Sequence, residues 1–175
     1  MIQKIKILKK NIKNKKITII GAGVSGQGAA LLANLLGAKV LISDIKKPKK
    51  MDKNLNNKNI ILEFGKHSKK CLNADLIIVS PGVDINKIDI LKHIDSNEIP
   101  IVGEIEFASW FTKSPIIAVT GSNGKSTVVE LLHAIFKKNF VNVLLGGNIG
   151  KSLSENIIFE KNHNISDLHI VEVSS

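Results

Sequence analysis

Ile17-Thr18-Ile19-Ile20-Gly21-Ala22-Gly23-Val24-Ser25-Gly26 sets a short apolar run directly before three glycines spaced G-x-G-x-x-G. The run reads as a buried strand, because it is continuous, short and β-branched. Residues Gly26–Leu36 are apolar nearly all round and predict a helix, which Gly37 ends. Glycines between a strand and a helix permit a tight turn and let backbone N–H groups approach an anion at the helix N-terminus. Alone the pattern is weak, since a glycine turn can simply pack a helix close to a sheet. Nothing in it separates a dinucleotide from another nucleotide-linked ligand.

The neighbouring sequence strengthens the reading. Val40–Ser43 is a second strand, and Asp44 follows it about 20 residues after the first glycine. Lys46–Asn59 is polar and basic and reads as loop or weak helix. Ile60–Phe64 and Leu76–Val79 are further strands, the latter running into Ser80-Pro81-Gly82. Ile88–Ser96 has a helical pattern and Pro100–Val102 is a short fifth strand. Strands alternating with helices predict an α/β fold, a Rossmann-like parallel sheet with helices on its faces.

The pattern restarts after Lys113. Ile116–Thr120 is a strand, and Ser126–Lys138 a helix with Val128, Leu131, Leu132, Ile135 and Phe136 on one face. Val141–Leu145 and Leu168–Val173 are strands. We therefore expect two units, residues 1–113 and 114–175, the second being the beginning of a P-loop ATPase-type α/β domain. A parallel sheet needs both faces covered. A strand running to the end of the chain is expected to lack cover, which points to a fragment or a truncated product.

Between strand 116–120 and helix 126–138 lies Gly121-Ser122-Asn123-Gly124-Lys125-Ser126-Thr127, a phosphate-binding loop. Its N–H groups can ring an anion and Lys125 can reach the β- and γ-phosphates of ATP. A hydroxyl of Ser126 or Thr127 can ligate Mg²⁺. The loop departs from G-x-x-x-x-G-K-[ST], because Val119 stands where the first glycine belongs. Glu172, ending an apolar strand, is a candidate Mg²⁺ carboxylate. Asn148, in Gly146-Gly147-Asn148-Ile149-Gly150, follows another strand on the side where ligands bind.

Composition removes other classes. The formal charge is +10, but the excess is scattered lysine, the chain has no tyrosine, and aromatics make up 4%. Stacking platforms for nucleic acid are nearly absent, and we expect no nucleic-acid partner. No apolar run nears the roughly 18 residues of a membrane span. Lysine and asparagine interrupt the basic stretch Met1–Lys16, so it is no secretory signal, and a cytoplasmic protein without membrane association is expected. Cys71 is the single cysteine and reads as a small apolar residue. The five histidines have no metal-ligand spacing.

Taken together, Thr120–Thr127 resembles the ATP loop of the Mur ligase superfamily, and its Ser-Asn-Gly-Lys-Ser-Thr resembles the D-glutamate-adding branch. The alanine-adding branch typically has His before Gly-Lys, and folylpolyglutamate synthetases usually have Gly-Lys-Gly. Gly103-Glu104-Ile105-Glu106-Phe107, Gly146–Gly150, Val171-Glu172-Val173-Ser174-Ser175, Gly21–Gly26 and Ser80–Gly82 match that branch in order. The resemblance covers nearly the whole chain apart from the basic leader. It implies an ATP-dependent amide ligase joining D-glutamate to UDP-N-acetylmuramoyl-L-alanine in peptidoglycan synthesis, through an acyl phosphate, as a monomer. It assigns Val24, Ser25, Asp44, Ser80, Pro81 and Gly82 to the UDP substrate and Asn148 to a place near substrate and phosphates. Gly121–Thr127 would bind ATP, with Lys125 and Glu172 catalytic and Ser126 and Glu172 on Mg²⁺. The family's longer central domain, amino-acid-binding domain and D-glutamate pocket lie outside the match. Alternatives are a non-catalytic nucleotide-binding module or another ligase of the superfamily; an NAD oxidoreductase leaves the Lys125 loop unexplained.

Overall fold

The computed structural model describes the chain except for residues 1, 93, 95–97, 140–141, 166 and 175. Five parallel strands form the first sheet: β1 (Lys16–Ile20), β2 (Lys39–Asp44), β3 (Ile60–Phe64), β4 (Leu76–Val79) and β5 (Ile101–Gly103), in the order β3-β2-β1-β4-β5. Three more parallel strands, β6 (Ile116–Val119), β7 (Val143–Gly147) and β8 (Leu168–Glu172), form the second, in the order β6-β8-β7. The helices are α1 (Ile2–Lys10), α2 (Val24–Leu35), α3 (Asp89–Lys92), α4 (Glu104–Ser109), α5 (Lys125–Phe136) and α6 (Leu153–His163). The α/β class and the strands expected from the apolar runs are present. The residue Val141, expected to open β7, lies outside the described residues.

Strand register explains how one sheet serves two cores. In β1, Ile17 and Ile19 face a cluster with Ala29, Leu32, Ala33, Val40 and Ile42, while Ile20 faces a second cluster with Cys71, Ile77, Ile88 and Leu91. Alternation along each strand sends neighbours to opposite faces. Helix α2 is apolar all round because it is covered on both sides. Its far side packs on α6, where Leu153 and Ile157 are fully buried in the same cluster as Ala29, Ala33, Phe107 and Val171.

Helix α6 went unplaced in the sequence. Its apolar residues are not one-sided, since it is sandwiched between the first sheet's helices and strands β7 and β8. Its start is nonetheless well specified. The Ser152 hydroxyl accepts from the Glu155 N–H, and the Glu155 carboxylate accepts from the Ser152 N–H, forming a reciprocal capping box. Glu104, 1% exposed, takes the Ser154 N–H and O–H on one oxygen at 2.8 and 2.6 Å. Burial pushes the Glu104 carboxyl above its ordinary value, with the Ser154 hydrogen bonds opposing. At the other end, Glu160 accepts from Thr112 at 2.6 Å and lies 2.8 Å from the His169 ring of β8.

The basic leader is part of the fold: α1 docks through Leu8, with Ile12 just beyond the helix, both buried, and Lys9 lies over the Trp110 ring at 5.2 Å. Three expectations need correction. The helix expected over Ile88–Ser96 shrinks to Asp89–Lys92; Ile94 is not helical, and His93, Asp95 and Ser96 lie outside the described residues. Helix α5 packs through Val129, Leu132 and Phe136, leaving Val128, Leu131 and Ile135 exposed; the apolar stripe is wider than the strip that reaches the sheet. Finally, β8 is fully covered. It is the central strand, with Ile170 facing the α5 side and Val171 facing the α2–α6 core. No described helix is long and apolar enough to cross a membrane.

Candidate functional site

Strands β1 and β4 are hydrogen-bonded neighbours, yet their helical connections lead away in opposite directions along the sheet. Such a reversal opens a crevice at the carboxyl ends of the strands. Gly21 turns there at φ +98°, and a Cβ on it would come within 2.9 Å of Ser80 and 2.8 Å of Val83. The Ser80 hydroxyl donates to the Gly21 carbonyl at 3.1 Å. Asp44, at the end of β2, accepts the Ala22 N–H at 2.7 Å and the Lys46 N–H at 2.9 Å, clamping the glycine turn from the other side. Gln27 donates to the Ala22 carbonyl and accepts from the Asp52 N–H, tying the same turn to the long β2–β3 connection.

A cavity of about 350 Å³ lies at these strand ends, lined by Gly21, Asp44, His67, Gly82, Val83 and Lys87 among others. The expected substrate residues are thereby divided. Asp44 and Gly82 line the cavity, Ser80 is buried beneath the turn, and Pro81 is exposed beside it. Val24 instead lines a separate cavity of about 240 Å³ with Gln27, Lys50 and Glu155, and Ser25 is half-buried next to it. A larger cavity, about 420 Å³, lies at the opposite, amino-terminal ends of the strands and includes none of these residues.

Behind the first cavity is a polar network that sequence reasoning missed. Glu63 of β3 accepts the Ser43 hydroxyl at 2.9 Å, the Ser68 N–H at 2.9 Å, the Ser68 hydroxyl at 2.6 Å and the Cys71 thiol at 3.6 Å. Burial raises the Glu63 pKa, but these donors outweigh it and bring the carboxyl from 4.5 to about 2. Burial pushes the Cys71 thiol up. A carboxylate with a lowered folded-state pKa stabilises the fold above its unfolded value, and that stabilisation is lost as pH falls towards the folded one. Stability should therefore decline between about pH 4.5 and about pH 2, and Glu63→Gln should flatten that decline. Urea midpoints across this range check it; an equally steep acid-side loss in the variant would exclude Glu63 as its source.

The second loop is built on β6 and α5. Gly121 and Gly124 have φ of +146° and +74°, conformations that suit glycine. Lys125 donates to the Gly121 carbonyl at 2.5 Å, so the lysine lies across its own loop. The Ser126 hydroxyl donates to Glu172 at 2.6 Å. Glu172 is 5% exposed, and the backbone bond from Val173 to Val119 fixes the end of β8 beside β6. Gly147, at φ +100°, brings its backbone so close to Glu172 that a Cβ would lie 2.2 Å from the Glu172 carbonyl oxygen. Asn148 then donates its N–H to that carbonyl at 3.0 Å. The structure thus gathers Lys125, Ser126, Glu172 and Asn148 at neighbouring strand ends, with Ser122, Asn123 and Thr127 exposed on the loop.

The two regions are joined by close packing. A Cβ on Gly28 of α2 would lie 2.2 Å from the Ser152 hydroxyl at the start of α6, four residues after Asn148. Among the described residues there is no cluster of three or more His, Cys, Asp or Glu suited to a metal. A Ser126–Glu172 pair is instead the kind of hard-oxygen set that suits Mg²⁺, which binds through one or two carboxylates with substrate phosphates completing its shell.

Comparison with known proteins agrees with this architecture. Residues 16–87 match the family described as the MurD N-terminal domain. The UDP-N-acetylmuramoylalanine–D-glutamate ligase of Bacteroides thetaiotaomicron is 42% identical over 163 residues, covering 92% of this chain and 36% of the relative. The enzyme of that name from Chloroherpeton thalassium is 36% identical over 171 residues, covering 94% and 36%. The chain thus spans about a third of the length of the curated relatives it matches. A solved pseudomurein peptide ligase type C from Methanothermus fervidus superposes with a TM-score of 0.51 at 25% identity, covering 93% of this chain and 33% of that one. With its parallel sheet, its glycine turn and its likeness along nearly all its length to D-glutamate-adding ligases, the chain is similar to the Mur ligases, and its residues 16–87 match the MurD N-terminal domain.

Proposed function

We propose that this chain provides the UDP-substrate unit, residues 1–113, and the beginning of the ATP unit, residues 114–175, of a ligase that adds D-glutamate to UDP-N-acetylmuramoyl-L-alanine. The observation that carries the reading is the pairing of Ser126 with Glu172 behind the Lys125 loop. That pairing is what a phosphoryl-transfer site needs. In the proposed reaction the free carboxylate of the UDP substrate takes the γ-phosphoryl group of ATP, and the amine of D-glutamate then displaces phosphate to form the amide. Little protein nucleophile chemistry is required, so positioning and charge neutralisation dominate. Lys125 would leave the Gly121 carbonyl and move onto the β- and γ-phosphates. The Gly121–Thr127 backbone would ring the phosphates, with Ser126 and Glu172 holding Mg²⁺. When bound, Mg²⁺ would offset charge on the β- and γ-oxygens. Asp44 and Gly82 would contact the uridine carrier, with Ser80 fixing the turn beneath it and Asn148 lying between carrier and phosphates. The D-glutamate pocket is not among the residues assigned here.

Calorimetry with UDP-N-acetylmuramoyl-L-alanine, UDP-N-acetylmuramate and NAD tests the first unit. The alanyl ligand should bind tightest of the three. Preference for NAD would overturn the ligase reading in favour of a dinucleotide enzyme.

A further inference from the structure

His67 was given no role by its sequence context, yet it lines the cavity at the β1–β4 crevice beside Asp44 and Gly82. Its Nδ1 lies 2.9 Å from the hydroxyl of Ser43, which is fully buried. That hydroxyl has one proton and three neighbours able to accept it: Glu63 at 2.9 Å, the Lys66 carbonyl at 3.3 Å and His67 Nδ1. Glu63 is ionised and can only accept, and a charged acceptor makes the stronger bond. The Ser43 proton therefore goes to Glu63. The Ser43 oxygen, now facing Nδ1 with lone pairs only, requires Nδ1 to carry the proton. In neutral imidazole this leaves Nε2 as a bare acceptor.

We propose that His67 is a specificity-determining contact of the cavity, presenting Nε2 as an acceptor to an N–H or O–H donor of a bound uridine nucleotide, with Ser43 and Glu63 positioning it by fixing its tautomer. The proposal rests on the reading of this cavity as a uridine site. The donor chemistry has two sources on such a ligand, the imide N–H of uracil and a ribose hydroxyl. A cytosine nucleotide offers no imide N–H, so the first source would also give base selectivity.

The test is ¹⁵N nuclear magnetic resonance of the histidine side chains in the full chain, with UDP as the probe. In the free protein with neutral imidazole, Nδ1 should be the protonated nitrogen and Nε2 the bare one. Ser43→Ala should move the population towards the Nε2-protonated form. UDP should shift the Nε2 resonance, and His67→Ala should weaken UDP binding by roughly fivefold, the loss of one hydrogen bond. N3-methyl-UDP should lose affinity for the wild type, with no further loss in His67→Ala, if uracil is the donor; 2′-deoxy-UDP should do so if the ribose is. A free protein with Nε2 protonated overturns the proposal. So does UDP binding that leaves Nε2 unmoved and is unaffected by His67→Ala, in which case the uridine-site reading survives. Failure of the wild type to bind UDP overturns that reading, and the proposal with it.

Discussion

Gly26→Ala should destabilise the chain by about 3 kcal/mol or more, because the added methyl has nowhere to go. A Cβ at this position would sit 1.9 Å from the Gly21 carbonyl oxygen and 2.7 Å from the Ser80 hydroxyl. The first of these is backbone and cannot rotate away. Helix α2 would have to back off the glycine turn, but its other side is held by α6 through Gly28 and Ser152. Gly23→Ala is the matched control: its Cβ would meet nothing within 4 Å, and its effect should stay within about 0.5 kcal/mol. Urea unfolding of the two variants compares them directly. Equal stability would mean that the close approach of α2 to the turn is not a constraint. UDP binding should fall with Gly26→Ala, since the turn that moves also lines the crevice.

Lys125→Ala should weaken binding of ATP in the presence of Mg²⁺ by about tenfold to a hundredfold, the range expected for losing hydrogen bonds between a cation and phosphate oxygens. In the structure the ammonium group donates to the Gly121 carbonyl, so a nucleotide entering the proposed site would have to exchange that bond for phosphate contacts. Stability should change little, as the side chain is only half-buried and its one described hydrogen bond is to its own loop. Calorimetric titration with ATP and Mg²⁺ provides the measurement. An unchanged affinity would remove Lys125 from the phosphate site and leave the Gly121–Thr127 loop as a turn without a ligand.

Much of the fold was legible because it is written in short-range patterns. Strands β1 to β4 are brief runs rich in β-branched residues, and β1, β2 and β4 end in the turn residues that a crevice needs: Gly21, Asp44 and Ser80. The Lys125 loop was legible for the same reason, since its chemistry is contiguous. What was not legible depends on what packs against what. Helix α6 has no single apolar face, because the first sheet's helices and the second sheet both bury it. In α1, lysines interrupt a stripe of which only Leu8, with Ile12 beyond the helix, reaches the core. The exposed Val128, Leu131 and Ile135 share periodicity with the buried Val129 and the partly buried Leu132, so pattern alone could not divide them. The Glu63–Ser43–His67 network joins the ends of two strands through tertiary contact. The nearest sequence signal was the cluster Gly65-Lys66-His67-Ser68 following a strand on the ligand side. Val24 and Asp44, grouped in the sequence, line different cavities, because the first residue of α2 faces Glu155 and Lys50.

The seating of α6 bears on how this part of the molecule comes apart. Division after Lys113 looks natural along the chain, but it would uncover Ala29, Ala33 and Phe107 and strip Glu104 of both its donors. The two sheets are therefore thermodynamically interdependent: neither can melt without exposing the other. A hinge between them would have to break the same seam, giving up both the shared apolar cluster and the Glu104–Ser154 hydrogen bonds.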